Sequence, residues 1–215
     1  MTKGRIPRIT APAKTDLVIM KVGPFSGFPT TEGSPVEDFF AHIPSPVTLV
    51  GDGRVYNHIA VHAANWHPGA SAPSDSDIGI FHTIAFDAVS DDEVHHTLLI
   101  PFRMEAGTSI SVGVDWAYTG GADAGTVCWA LEHKCIMAGE ALAGGTTTIA
   151  ETSAGTHTSG QLVRTTFTDQ ITGCAAHDVI GLHLYRDVSE DTLGTDAELV
   201  SLHLEFTRDK MGDPV

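Results

Sequence analysis

Hydrophobic and polar residues alternate with a period of two along residues 109–131, the most regular stretch of the chain. This period places one set of side chains on each face of a β-strand. The apolar positions of its two limbs are Ile110, Val112, Val114, Trp116 and Tyr118, then Val127, Trp129 and Leu131. Three glycines lie in the connecting segment 119–125, which has the composition of a turn. The pattern therefore predicts an antiparallel hairpin whose two tryptophans point into one core.

Further alternating runs occur on either side of this stretch. They cover residues 55–62, 80–86, 94–100, 161–168, 177–186 and 197–206, with a weaker run at 146–150. Turn residues separate the runs, and no stretch has the 3.6-residue period of a helix. Because strands without intervening helices pair antiparallel, the sequence predicts an all-β, antiparallel two-sheet sandwich that is jelly-roll-like.

Residues 1–53 differ in composition from the rest and hold seven of the eleven prolines. Proline fixes φ and lacks a backbone donor, which excludes long central strands and helices. We therefore expect an extended Pro-rich N-terminal arm at 1–53 and a sandwich domain at 54–215. Within the arm, residues 17–22 could form an edge strand and residues 36–41 a helical turn.

Charge separates the same two regions. The net charge is -15, yet five of the twelve basic residues fall in the first 21 positions. The acidic body should repel nucleic acid, whereas the arm could lie on an acidic surface. No apolar stretch approaches the roughly 20 residues of a membrane helix, and the N-terminus has no secretory pattern. We expect no nucleic-acid or membrane partner, and a protein made in the cytoplasm.

The three cysteines, Cys128, Cys135 and Cys174, form no C-x-x-C pair and match no zinc-site spacing. They are expected to be reduced, buried or half-buried thiols without a disulfide framework.

Twelve histidines raise the hypothesis of a metal site. A cupin-like metalloenzyme would use His58, His82, His95 and His183. However, the adjacent His95 and His96 should point to opposite faces of their strand, and no catalytic motif is present. The carboxylates of Asp75 and Asp77 are spaced as calcium would accept, but the downstream Glu of a calcium loop is missing. We therefore expect no catalytic residue, no cofactor and no metal ligand.

One arginine is expected to have a structural role. Arg186 leaves a strand just before an acidic turn, and a bidentate pair with a carboxylate such as Asp191 would fix that turn.

Two blocks of residues have a recognisable spacing. The first block comprises Ile100-Pro101, Gly107-Thr108, Ile110, Val114, Trp116, Gly125, Val127, Trp129, Leu131 and Glu132. The second comprises Arg186-Asp187, Asp191-Thr192, Asp196-Ala197, Leu199, Asp209 and Gly212. Together they resemble a set of β-rich virion structural proteins of tailed bacteriophages. Relatives often carry histidines where this chain has Gly113 and Asp115, and an aromatic residue where it has His133. A ligand role of those positions is therefore not transferred.

The resemblance implies a non-enzymatic virion component, most simply a capsid decoration (cement) protein that stabilises the head through its N-terminal arm. Its partners would be the major capsid protein or other virion proteins and itself, as a homotrimer. A tail- or fibre-associated module that binds a glycan or receptor is the alternative, with Trp66 as the aromatic residue that could contact a sugar. The metalloenzyme is a third reading.

Overall fold

The computed structural model describes residues 47–48, 55–120, 125–153 and 157–211, with only the backbone for 47–48 and 210–211. Almost all of the predicted arm, including its possible edge strand and helical turn, lies outside these residues. The arm and its boundary with the sandwich therefore stay predictions. Among the described residues, 56–208 form one compact unit.

Thirteen strands and one short 3-10 helix (Ala63–Asn65) are found in the described residues. The strands are β1 (Val47–Thr48), β2 (Val55–His62), β3 (His67–Pro68), β4 (Ser74–Ile78), β5 (Phe81–Phe86), β6 (Glu93–Leu99), β7 (Ser111–Ala117), β8 (Cys128–Ile136), β9 (Thr147–Thr152), β10 (Val163–Thr166), β11 (Val179–Arg186), β12 (Ala197–Arg208) and β13 (Lys210–Met211). Every alternating run of the sequence became a strand, whereas β3 and β4 fall between the runs at 55–62 and 80–86, where alternation predicts no strand.

The strands form two antiparallel sheets. One is six-stranded in the order β10-β7-β12-β5-β4, with β2 also paired to β12, and the other is five-stranded in the order β3-β6-β11-β8-β9. From β5 to β8 and from β10 to β12, successive strands alternate between the two sheets. This confirms the predicted all-β, jelly-roll-like sandwich. Outside this unit, β1 pairs antiparallel with β13.

The predicted hairpin of residues 109–131 is wrong. Its first limb is β7, which pairs with β10 and β12, and its second is β8, which pairs with β9 and β11. The two limbs therefore belong to opposite sheets. Both tryptophans are fully buried as predicted, but they meet across the sandwich, with the rings of Trp116 and Trp129 6.4 Å apart.

The two motif blocks that carry the phage resemblance meet in space. The Thr126 N–H donates to the Thr192 hydroxyl at 2.9 Å, and the Leu193 N–H donates to the Thr126 carbonyl at 3.0 Å. Gly125 lies so close to Leu193 that a Cβ there would be 2.5 Å from its Cα. These residues therefore fasten the start of β8 to the turn after β11, which is a structural role.

Arg186 is the centre of that turn, and its predicted pairing is confirmed. Its side chain is fully buried, with Nε 2.5 Å and Nη2 3.2 Å from the two carboxylate oxygens of Asp191. The guanidinium also donates to four backbone carbonyls, those of Phe86, Asp87, Leu193 and Thr195. A fixed fork of donors is suited to this task, since it can bond to several acceptors at once.

The expectation for the cysteines is corrected. Cys135 and Cys174 form a disulfide with their Cα atoms 5.3 Å apart, although 39 positions separate them in the chain. Cys128 is a free, buried thiol as expected. Spacing along the chain did not reveal the pair because the fold, rather than a local motif, brings the two residues together.

Candidate functional site

The outer face of the five-stranded sheet carries a row of polar side chains. On β11, Ile180, Leu182 and Leu184 are buried in the core, so the alternate residues Gly181, His183 and Tyr185 point outward. We call the outward cluster formed around His183 the histidine–glutamate face. It comprises His67, Glu93, His95, Glu132 and His183.

Strand register assembles this face. His183 lies opposite His95 of β6 on one side and opposite Glu132 of β8 on the other. His95 in turn lies opposite His67 of β3. Glu93 belongs to the same face because it precedes His95 by two positions on β6. Four strands that are separated along the chain thus supply the five side chains.

His183 bridges two carboxylates. Its Nε2 lies 2.8 Å from Oε2 of Glu93, and its Nδ1 lies 2.9 Å from Oε2 of Glu132. The His95 ring stacks on the His183 ring with 4.5 Å between centroids and 21° between planes, and the centroid of the Tyr185 ring lies 5.3 Å from that of His183. The three side chains are partly shielded from solvent, with 22% (His183), 24% (Glu93) and 33% (Glu132) of the side-chain surface exposed.

Hydrogen bonds hold both glutamates in place and favour their ionised forms. The Ala70 N–H donates to Oε1 of Glu93 at 2.6 Å, and this bond, helped by His183, lowers the pKa of Glu93 despite the opposing effect of burial. The pKa of Glu132 is lowered first by a hydrogen bond from Thr146 and then by His183. A backbone or hydroxyl donor stabilises the charged form of a carboxylate more than the neutral form, so both sites favour an anion.

His95 is biased in the opposite sense. Partial burial and the neighbouring charge of His183 lower its pKa, which outweighs the attraction of Glu93 and Glu132. The ring is therefore held toward its neutral form, in which one nitrogen is a free acceptor.

A groove of about 280 Å³ runs along this face. One side is the loop 137–146, which Lys134 fastens by donating to the carbonyls of Ala141, Ala143 and Gly144 at 2.5–3.3 Å. Leu142 on this loop is 81% exposed at the groove. Gly181 forms an open part of the floor, since nothing lies within 4 Å of where its Cβ would be.

The four histidines of the metalloenzyme hypothesis do not assemble. Only His95 and His183 are neighbours, whereas the His58 ring lies 6.0 Å from that of His203 on the other sheet. His82 lies on β5 beside Asp75 and Asp77 of β4, at 4.0 and 3.6 Å. As expected, His95 and His96 point to opposite faces.

Trp66, the aromatic residue suggested for sugar contact, is also displaced from that role. It is 7% exposed, belongs to the core and packs against His96 with ring centroids 5.6 Å apart.

The glutamates of the histidine–glutamate face were not predicted from the sequence. The spacing Glu93-x-His95 did place two polar groups on one face of a strand, but Glu132 is recognisable only once the register is known.

The outer face of the six-stranded sheet holds a second polar cluster, formed by Asp115, Arg164, Ser201 and His203. Arg164 binds both oxygens of Asp115, at 2.6 and 2.7 Å, and Nε2 of His203 lies 2.8 Å from the same carboxylate. Burial alone would raise the pKa of Asp115, but these partners outweigh it and lower the pKa. A guanidinium cation already occupies the position that a ligand would take.

The fold and this groove define the class of protein as an antiparallel β-sandwich with a polar groove on one outer face. No protein-family model matches the sequence, and no curated protein matches it. No helix in the described ranges is long and apolar enough to cross a membrane.

Comparison with solved structures found β-rich proteins of several kinds. The chain is similar to the CBM36-1 domain of a multidomain xylanase from the hindgut metagenome of Trinervitermes trinervoides, with 15% identity over 74% of this chain and 100% of that one and a TM-score of 0.39. It is also similar to a carbohydrate-binding module CBM36 in complex with calcium and xylotriose, with 20% identity, 67% and 97% coverage and a TM-score of 0.41. A third similar structure is that of infectious bursal disease virus, Gx strain, with 16% identity over 74% of this chain and 35% of that one and a TM-score of 0.37. With every one of these TM-scores below 0.5, function has to be argued from the site itself.

Proposed function

We propose that the protein is a non-catalytic binding module that recognises a glycan in the groove on the outer face of its five-stranded sheet. The observation that supports this is the groove itself, in which charged acceptors, donors and an apolar edge surround an open floor. Carbohydrate-binding modules also occur among the similar structures, although the groove alone supports the proposal.

The groove chemistry suits a sugar. A sugar hydroxyl donates and accepts at once, so it pairs well with a carboxylate on one side and a protonated or hydroxyl donor on the other. Glu132 supplies the first kind of partner, and Thr97, Thr146 and the imidazole of His95 supply the second. Leu142 offers the apolar surface on which the C–H groups of a sugar ring can pack. The volume suits a short segment of a glycan.

The same residues argue against hydrolysis. A glycosidase needs one carboxylic acid with a raised pKa and a second carboxylate across an open cleft. Here Glu93 and Glu132 both contact the one imidazole between them, and both have lowered pKa values. Neither is therefore a suitable general acid at neutral pH.

The test is a glycan array probed with the wild-type protein and a Gly181→Val variant. The new side chain would project from the groove floor, and a β-branched residue suits a strand, so binding to any recognised glycan should be lost while the fold is retained. The matched control is Ala150→Val, which adds bulk at an exposed position of β9 on the same face but outside the groove lining. The proposal fails if no glycan is bound, or if Gly181→Val and Ala150→Val behave alike.

A second candidate, a virion structural protein, is favoured by a separate observation. On the six-stranded sheet, Ile78, Phe81, Leu162 and Val200 surround a shallow cavity of about 140 Å³, and Phe81 and Leu162 are 61% and 64% exposed. Exposed apolar groups in contact with one another are typical of protein–protein contacts. In this proposal the surface packs against another virion protein or a second copy, the arm at 1–53 contacts the major capsid protein, and the assembly is a homotrimer in the virion.

Mass spectrometry of purified virions tests the second candidate. A copy number close to that of the major capsid protein would support a cement role, and absence of the chain would exclude it. The Cys135–Cys174 disulfide fits either candidate, because secreted proteins and released particles both work in oxidising surroundings.

A further inference from the structure

Three side chains of the histidine–glutamate face have ligand atoms close enough to share one metal ion. Glu93, His95 and His183 each offer one such atom, and all three atoms lie within 4.8 Å of one another. In tetrahedral zinc sites the metal–ligand bonds are about 2.0–2.2 Å, which puts ligand atoms roughly 3.3–3.6 Å apart. In this structure the distances between the ligand atoms range from 2.8 Å (His183 Nε2 to Glu93 Oε2) to at most 4.8 Å. Small side-chain rotations would therefore bring all three atoms to bonding distance from one ion.

Hydrogen bonds orient two of the three ligands. Glu132 accepts from Nδ1 of His183, which leaves Nε2 directed at the cluster. The Ala70 N–H binds Oε1 of Glu93, which leaves Oε2 directed at the same point. A carboxylate behind a ligating imidazole is a common feature of metal sites, where it fixes the ring and increases its basicity.

The third ligand is free to move. His95 is exposed and contacts His183 through its ring face, and its closest strand partner on the other side is His67. Its ring can therefore turn until a nitrogen points at the ion.

We propose that Glu93, His95 and His183 form a Zn²⁺ site, with the fourth position open to solvent at the groove. Two imidazoles and one carboxylate are a ligand set that Zn²⁺ accepts, whereas Mg²⁺ and Ca²⁺ require oxygen ligands throughout. Binding replaces the hydrogen bond between His183 and Glu93 by two bonds to the ion, and the proton of that hydrogen bond is released. The site depends on these side chains alone and not on whether the groove binds a glycan.

Other His–carboxylate groups in the described residues lack these properties. At the second polar cluster, Arg164 already neutralises Asp115. Beside His82, the side chains of Asp75 and Asp77 are 92% and 73% exposed, so nothing holds them in one geometry.

Isothermal titration calorimetry with ZnCl₂ on the full-length protein, first stripped with EDTA, tests the proposal. We expect one ion per chain and a loss of at least about 100-fold in affinity for His183→Ala and for His95→Ala, because removing a residue that merely orients a ligand already costs about 10–100-fold. His95→Ala guards against misfolding, since this exposed ring anchors nothing in the core. X-ray absorption at the zinc edge should show nitrogen and oxygen ligands without sulfur.

The matched control is His82→Ala, which removes a histidine flanked by carboxylates elsewhere on the surface and should leave Zn²⁺ affinity unchanged. The proposal is overturned if the wild-type protein shows no stoichiometric Zn²⁺ binding, if sulfur ligands appear, or if His82→Ala weakens binding as much as His183→Ala.

Discussion

The two outer faces of the sandwich carry the same residue types, but these residues have different roles on each face. Each has a histidine hydrogen-bonded to a carboxylate on neighbouring strands, His183 with Glu93 on one sheet and His203 with Asp115 on the other. On the six-stranded sheet, Arg164 completes the network with a bidentate pair, so the charges satisfy one another. On the five-stranded sheet none of the arginines that the structure describes is part of the cluster, and the polar atoms face a groove. A satisfied network stabilises the fold, whereas a cluster without its cation can bind one.

The largest expected effect separates the faces by stability. Asp115→Asn removes the charge that Arg164 and His203 contact, and hydrogen bonds to charged groups contribute about 1.5–3 kcal/mol. We expect the free energy of unfolding to fall by about that amount, measured by urea denaturation. Glu93→Gln keeps an acceptor for the Ala70 N–H at a partly exposed site and should cost less than about 1 kcal/mol. Equal losses in the two variants would mean that the faces do not differ in this way.

The next largest effect concerns Zn²⁺ affinity and the residue that orients His183. Glu132→Gln removes the carboxylate behind Nδ1 of His183 and should weaken Zn²⁺ binding about 10–100-fold with the stoichiometry unchanged. Calorimetric titration measures this, and Glu132→Asp should restore part of the affinity. The matched change on the other face, His203→Gln, should leave Zn²⁺ affinity unaltered. A Glu132→Gln protein that binds as tightly as the wild type would exclude a positioning role.

The smallest effect is a difference in pH dependence. The pKa of His95 is lowered from its usual 6.5 by burial and by His183, so the folded state binds that proton more weakly than the unfolded state. The contribution of His95 to the free energy of unfolding is therefore present above about pH 6.5 and is lost as pH falls below that value. The pKa of Asp115 is lowered from 3.8, so its contribution is lost only below about pH 4.

Urea denaturation at pH 7.5 and 5.5 measures this difference. The loss of stability between the two pH values should be smaller in His95→Asn than in the wild type, and it should be unchanged in Asp115→Asn. A reduced loss in Asp115→Asn would contradict the assignment.

The sequence predicted the faces of strands better than their partners. Alternation in residues 109–131 correctly identified the buried side chains, including both tryptophans, because a period of two is a property of one strand alone. It could not show that β7 and β8 lie in different sheets, since a glycine-rich connection is compatible with a hairpin and with a crossing. Arg186 was predicted with its partner because Asp191 is only five residues away.

The candidate site was beyond reach for the same reason. Glu132 and His183 lie 51 positions apart, and Glu93 and His183 lie 90 apart. Only the register between β6, β11 and β8 brings these three side chains together. A shift of one residue on any of these strands would point its side chain into the core instead of the groove. Cys135 and Cys174 were missed likewise, since their proximity depends on the fold.

The most direct test of the difference between the two faces is a crystal of the protein soaked in ZnCl₂, with an anomalous difference map recorded at the zinc absorption edge. We expect a peak bonded to Glu93, His95 and His183 on the five-stranded sheet, and no peak at Asp115 and His203 on the six-stranded sheet. A map without density at the first site, or with a peak at the second, would contradict it.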